Sequence, residues 1–204
     1  MKSVFKLALG LFLRTVLVCM LSFMAIITLG MVGSANGELS PVVSVIFGLI
    51  YFFMLLYFFV YTAWVDGNSD HNRVKIGQAK EMVWKGYAAG MIVVVPIIAI
   101  FVSTYLLMDI ENTFVGALNI LKFIFVWAGI YLTVPFTGGI STTTVDSEVV
   151  KDPALALYMT LILCLVYLIS GICAGVGYFF GYRKISFIPK IVDKIMGKTP
   201  SSKK

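Results

Sequence analysis

Five stretches of this chain are apolar for about as long as a helix needs to be to cross a bilayer. They run from Leu7 to Val32, Val42 to Trp64, Gly86 to Met108, Phe114 to Phe136 and Ala154 to Tyr182. A hydrocarbon core of about 30 Å is crossed by roughly 20 helical residues. Inside it every backbone N–H and C=O must find its partner within the protein, which leaves helices as the natural form for such stretches. The fold class that follows is all-α: a polytopic membrane helical bundle. Composition agrees, with 60% of the 204 residues hydrophobic and 13% charged, against about 45–50% and about 25% in water-soluble domains. So few charges cannot coat a globule in water, which excludes a soluble enzyme, a disordered chain and a disulfide scaffold. Cys19, Cys164 and Cys173 all lie within apolar runs and read as buried thiols.

The flanks of these stretches have the chemistry of membrane boundaries. Tyr61 and Trp64 close the second and Trp84 and Tyr87 open the third, where amphipathic rings favour the interface. Asp152-Pro153 supplies a capping residue and a first-turn proline to the last. Pro96 lies inside the third and predicts a kink there. The first stretch follows Lys2 and Lys6, but its apolar run exceeds the roughly 7–15 residues of a secretion signal. It reads as a retained signal-anchor span, with Arg14 snorkelling back toward the two lysines.

Basic residues in short loops set orientation, and here they also bear on the number of crossings. If all five stretches cross with the amino terminus inside, eight basic residues lie inside and seven outside, with Lys122 in the bilayer. If Phe114 to Phe136 does not cross, fourteen lie inside and only Lys122 and Lys151 outside. A lysine at mid-span also costs roughly 2.5–3.5 kcal/mol, and Asn119 shares its helical face. The expected architecture is therefore four spans plus one interfacial or re-entrant helix, with five spans as the alternative. Both termini lie in the cytoplasm of a cell-membrane protein. Residues 1–182 form one membrane-embedded domain and 183–204 a basic tail.

The tail carries the charge. The net +6 of the chain equals that of residues 183–204, which hold seven basic side chains and Asp193. Arg183, Lys184, Lys190, Lys194 and Lys198 are placed to meet anionic lipids of the inner leaflet. Between Pro189 and Gly197, apolar positions alternate with lysines in the manner of a short surface helix. In the last span, Gly171, Gly175, Gly177 and Gly181 form two G-x-x-x-G pairs, which let another helix approach closely. That partner helix lies within the same bundle, or else in a second copy or another membrane protein.

Other patterns carry less. Asp66, Asn68 and Asp70 imitate the start of a calcium loop, but His71 stands where the loop needs glycine and Gly77 where it needs glutamate. Asp66 to Gly77 then reads as a polar turn between spans. Lys80 and Lys85 follow it in a short amphipathic lead-in whose charges face headgroups. The single histidine, His71, leaves no multi-histidine metal site and few catalytic sets. No carboxylate falls inside an apolar stretch, and no phosphate-binding glycine motif is present.

The pairing of D-x-x-x-D-x-N-x-V-x-x-G (Asp66 to Gly77) and Lys85-Gly86 with a final G-x-G-Y-x-x-G-Y (Gly175 to Tyr182) resembles small uncharacterised polytopic membrane proteins of Gram-positive bacteria. The resemblance covers about a quarter of the chain. It implies a partial, interfacial helix between the third and last spans, and it carries no activity or ligand. The function these observations predict is non-enzymatic: an accessory, assembly or lipid-interacting membrane protein that needs no cofactor or metal and binds no nucleic acid. The alternative is a small transporter or substrate-binding subunit with a cavity near Asn119 and Lys122.

Overall fold

The computed structural model describes residues 2–33, 41–78, 82–107, 110, 112–127 and 153–184. It contains five helices: α1 (Lys2–Gly33), α2 (Pro41–Lys75), α3 (Lys85–Leu106), α4 (Thr113–Val126) and α5 (Pro153–Tyr182). Four of them are long and apolar enough to cross a membrane, and α4 is a shorter apolar helix. The molecule is a helical membrane bundle of four long apolar helices and one partial one. No strand occurs among the described residues. Large apolar side chains such as Phe53, Leu161 and Leu165 are more than half exposed on its outside. A lipid surround accepts such a surface, whereas water penalises it at roughly 25 cal/mol per Å².

Close contacts fix how the helices run. Gly10 of α1 lies 3.8 Å (from a notional Cβ) from Thr62 of α2, and the Tyr51 hydroxyl donates to the Leu21 carbonyl at 3.4 Å. α1 and α2 are therefore antiparallel. Gly177 meets Val60 and Gly181 meets Trp64, so α2 and α5 run parallel, while Gly90 against Gly171 and Gly86 against Tyr178 make α3 antiparallel to α5. The start of α1 and the end of α5 thus lie at one end of the bundle, together with the end of α2 and the start of α3. We call this the proximal end.

α5 packs chiefly on α2 and α3, while α1 packs on α2 and α3, and α4 on α3 and α1. The two glycine pairs of α5 serve different neighbours. Gly171 and Gly175 face Val94 and the Tyr87 ring of α3, while Gly177 and Gly181 face the Val60 and Trp64 backbone of α2. Leu55, Phe59, Val94, Phe101, Leu163 and Tyr167 fill the space between helices.

Two expectations change. The polar turn between Asp66 and Gly77 is largely helical: α2 continues without a break through Lys75 and ends at Gly77, where φ is +73°. Asp, Asn, Gly and Ser disfavour a helix interior, but tertiary contacts at Asp66, Gly67 and Asp70 hold this one. Arg73 and Lys75 also complement the carbonyl end in its last turn. As a result, two carboxylates belong to the same continuous helix as the second apolar stretch. The second change concerns Lys85, which is 1% exposed rather than facing headgroups.

Candidate functional site

At the proximal end, three segments distant in sequence converge on one buried lysine. Asp66 and Asp70 are four residues apart on α2 and so lie on one face. Lys85, the first residue of α3, places its ammonium between them. It donates to Asp66 Oδ2, and to Asp70 Oδ2 at 2.7 Å. The Tyr178 hydroxyl of α5 donates to the same Asp70 oxygen at 2.8 Å. Its ring lies 5.7 Å from the Lys85 ammonium. Arg73 stands 4.0 Å from the other Asp70 oxygen, and the His71 ring meets Tyr182 edge-on at 5.6 Å. Asp66 and Asp70, Lys85-Gly86 and the glycine-rich end of α5 therefore meet in space.

Glycines make this convergence possible. A Cβ at Gly67 would collide with the Tyr178 carbonyl oxygen, and one at Gly86 with the Tyr178 side chain. Backbones that approach this closely bring the short aspartate side chains within reach of Lys85. A lysine removed from water is stable only with such partners. The cluster can tie α2, α3 and α5 together. Its lysine and the Tyr178 hydroxyl are both engaged by carboxylate.

A second set of polar contacts lies at mid-depth. α4 begins beside the end of α3, with Asn112 as its cap accepting from the Phe114 N–H at 3.4 Å. It has 14 residues, about 21 Å of helix, too short to cross about 30 Å of hydrocarbon. Its last carbonyls therefore end inside the bundle and need donors from other helices. Tyr167 of α5 donates to the Phe125 carbonyl at 2.6 Å, and Ser22 of α1 to the Trp127 carbonyl at 2.6 Å. The Cys19 thiol also approaches Phe125 O, at 3.9 Å, and the Tyr167 hydroxyl, at 3.6 Å. Phe12 and Phe125, with ring centroids 6.1 Å apart, pack α4 onto α1.

Among the described residues, the proximal half of the α1–α3 seam, below the end of α4, holds a groove of about 410 Å³. Phe5, Ala8, Leu9 and Phe12 of α1 form one wall and Ile92, Val93, Pro96, Ile97 and Ile100 of α3 the other, with Leu121 and Phe125 of α4 above. Every lining side chain is apolar. α3 runs continuously through Pro96, so the proline ring becomes part of this wall. On the other flank of α4 lies a smaller cavity of about 140 Å³ lined by Thr104, Tyr105, Lys122 and Thr160 among others.

The residues singled out in sequence fall as follows. Gly171, Gly175, Gly177 and Gly181 sit at helix contacts within the chain. Lys122 is half-buried and lines the smaller cavity, whereas Asn119 is exposed and does not. Arg183 lies over the Phe179 ring at 4.6 Å, and Lys184 ends α5 in the left-handed region at φ 54°. Lys190, Lys194, Lys198 and the amphipathic stretch around them lie outside the described residues, as do Lys80 and residues 128–136 of the fourth apolar stretch. Arg14 has one buried terminal nitrogen without a hydrogen-bond partner among the described residues. Sequence reasoning took Lys85 for a headgroup-facing charge and met Tyr178 only within the last glycine motif, and it did not single out Tyr167 or the groove. The four-residue spacing of Asp66 and Asp70 was the available signal for the cluster. Comparison with known proteins finds no matching family model, curated protein or solved structure.

Proposed function

We propose that this is a non-enzymatic, multi-pass protein of the cell membrane that interacts with lipid, holding an acyl chain in the groove beneath α4. The carrying observation is the all-apolar groove of about 410 Å³ between α1 and α3. It opens where the surrounding solvent is hydrocarbon, with Leu121 and Phe125 of α4 at its upper end. Pockets for small ligands span about 300–1,000 Å³ and usually combine apolar walls with a few polar groups. A wall with no polar group suits a hydrocarbon chain. The count of basic residues supports termini on the cytoplasmic side, where the tail meets anionic lipids and the groove opens to the same leaflet. A non-enzymatic role agrees with the pairing of Lys85 and Tyr178 to carboxylate.

The test uses the full-length protein in vesicles containing a phospholipid with a photoactivatable group midway along one acyl chain. Cross-links are expected to concentrate on α1 residues 5–12 and α3 residues 92–100. Leu9→Trp with Ile92→Trp, which fills the groove from its exposed rim, should reduce that labelling severalfold. Labelling spread evenly over every lipid-facing helix, or unaffected by the double substitution, would contradict the reading.

A further inference from the structure

Among the described residues, Lys85 is buried and Lys122 half-buried, and the two are served very differently. Lys85 has two carboxylates and a tyrosine ring beside it. Lys122 is half-buried in an apolar helix, and none of the ion pairs among the described residues involves it. An ammonium at membrane depth without a counter-charge is costly. Long helical side chains lean toward the amino-terminal end of their helix, and Lys122 shares its cavity with Val126, one turn toward the carbonyl end of α4.

What Lys122 reaches is a space with mixed walls: a cavity of about 140 Å³ lined by Thr104 and Tyr105 of α3 and Thr160 of α5 together with the apolar Val126, Ala156, Met159 and Leu163. That is well above the roughly 10–15 Å³ that a single water requires. The Thr104 hydroxyl already donates to the Phe101 carbonyl at 2.9 Å, which leaves its lone pairs free to accept but its proton committed. Thr160 is buried at 6% exposure. Lys122 lies nine residues beyond Thr113, about 13 Å along the helix. A side chain leaning back along the helix would carry the ammonium toward the headgroup region of the distal leaflet.

We infer that Lys122, with Thr160 beside it, forms a binding site for a phosphate oxyanion, supplied by a lipid headgroup of the distal leaflet or by free phosphate. The site lies on the opposite flank of α4 from the acyl-chain groove and stands independently of it. An ammonium supplies charge and three donors to a phosphate without requiring a fixed fork.

Thermal unfolding of the full-length protein in a non-ionic detergent tests this, with phosphatidylglycerol and inorganic phosphate as separate probes. A bound ligand raises the Tm of the wild type. In Lys122→Gln the half-maximal concentration should rise by about fivefold or more, the effect of losing one lysine–headgroup contact. Lys122→Arg should keep the response and Thr160→Val weaken it. The substitution to glutamine removes a buried charge, so the ligand-free variant is expected to fold at least as well as the wild type. A response to phosphatidylglycerol alone assigns the headgroup as the source, and a response to both probes assigns free phosphate as well. A wild type that responds to neither probe, or a Lys122→Gln variant that responds equally, would overturn the proposal. So would a response that appears only after Asp152→Asn, since the counter-charge would then come from the chain itself.

Discussion

Lys85 depends on its neighbours more than any other charged residue described here. At 1% exposure its charge is compensated by Asp66 and Asp70 rather than by water, so Lys85→Met leaves two carboxylates facing each other. Removing one partner from a buried pair costs about 3–5 kcal/mol, and unfolding in detergent should show a loss of that order. The triple variant Lys85→Met, Asp66→Asn, Asp70→Asn should recover most of it, because no uncompensated charge remains. Asp70→Ala should be worse than Asp66→Ala. Asp70 Oδ2 accepts from both Lys85 and Tyr178, and its side chain is the less exposed of the two. Lys184, in the left-handed region at φ 54°, gives a prediction of opposite sign. Lys184→Gly should raise stability by about 1 kcal/mol, since only glycine adopts that backbone without cost. This residue-scale chemistry was only partly legible in sequence. The carboxylates at positions 66 and 70 carry helical spacing, but Gly67, Asn68, Ser69 and Asn72 between and beside them favour a turn. What decides the outcome is Tyr178, more than a hundred residues away, and local propensity has no access to it.

Among the elements, the long spans were readable because their lengths answer to one physical constraint, the thickness of hydrocarbon. The boundaries of the third and last agree with α3 and α5 to within a residue or two. α2 instead overruns its apolar stretch by eleven residues, to Lys75, because the added turns are paid for by contacts with α3 and α5. The glycines of α5 are closely packed: a Cβ at Gly181 would strike the Trp64 carbonyl, whereas one at Gly116 of α4 would meet nothing within 4 Å. Gly181→Ala should therefore cost about 1–3 kcal/mol by prying α2 from α5. Gly116→Ala should gain about 0.5–1 kcal/mol from helix propensity alone. Comparing the two by the same unfolding assay separates packing from propensity. The partial helix makes a third case. Tyr167→Phe keeps the ring but strips the Phe125 carbonyl of its 2.6 Å donor, at a cost of about 1–3 kcal/mol. Combining it with Ser22→Ala, which removes the donor to Trp127, should loosen the end of α4 further, measured as faster hydrogen exchange there.

At the level of the whole molecule, the four-plus-one arrangement was signalled by charge rather than by hydropathy. Hydropathy alone favours five crossings. The distribution of lysine and arginine favours four, and the structure has four long apolar helices with a shorter one, α4, over Thr113–Val126. The groove was not legible, since no local pattern of residues marks a space shared by three helices. It joins α1, α3 and α4, whose lining positions are separated by up to about 120 residues along the chain. The account rests on one claim, that α4 ends at mid-depth and leaves a chain-shaped space which lipid fills. A cryo-electron microscopy map of the full-length protein in a lipid nanodisc tests it most directly. The account predicts elongated density between Phe5 to Phe12 and Ile92 to Ile100, capped by Phe125, and its disappearance in Leu9→Trp with Ile92→Trp. A map in which α1 and α3 close on each other, or in which α4 continues across the membrane to occupy that seam, would contradict it.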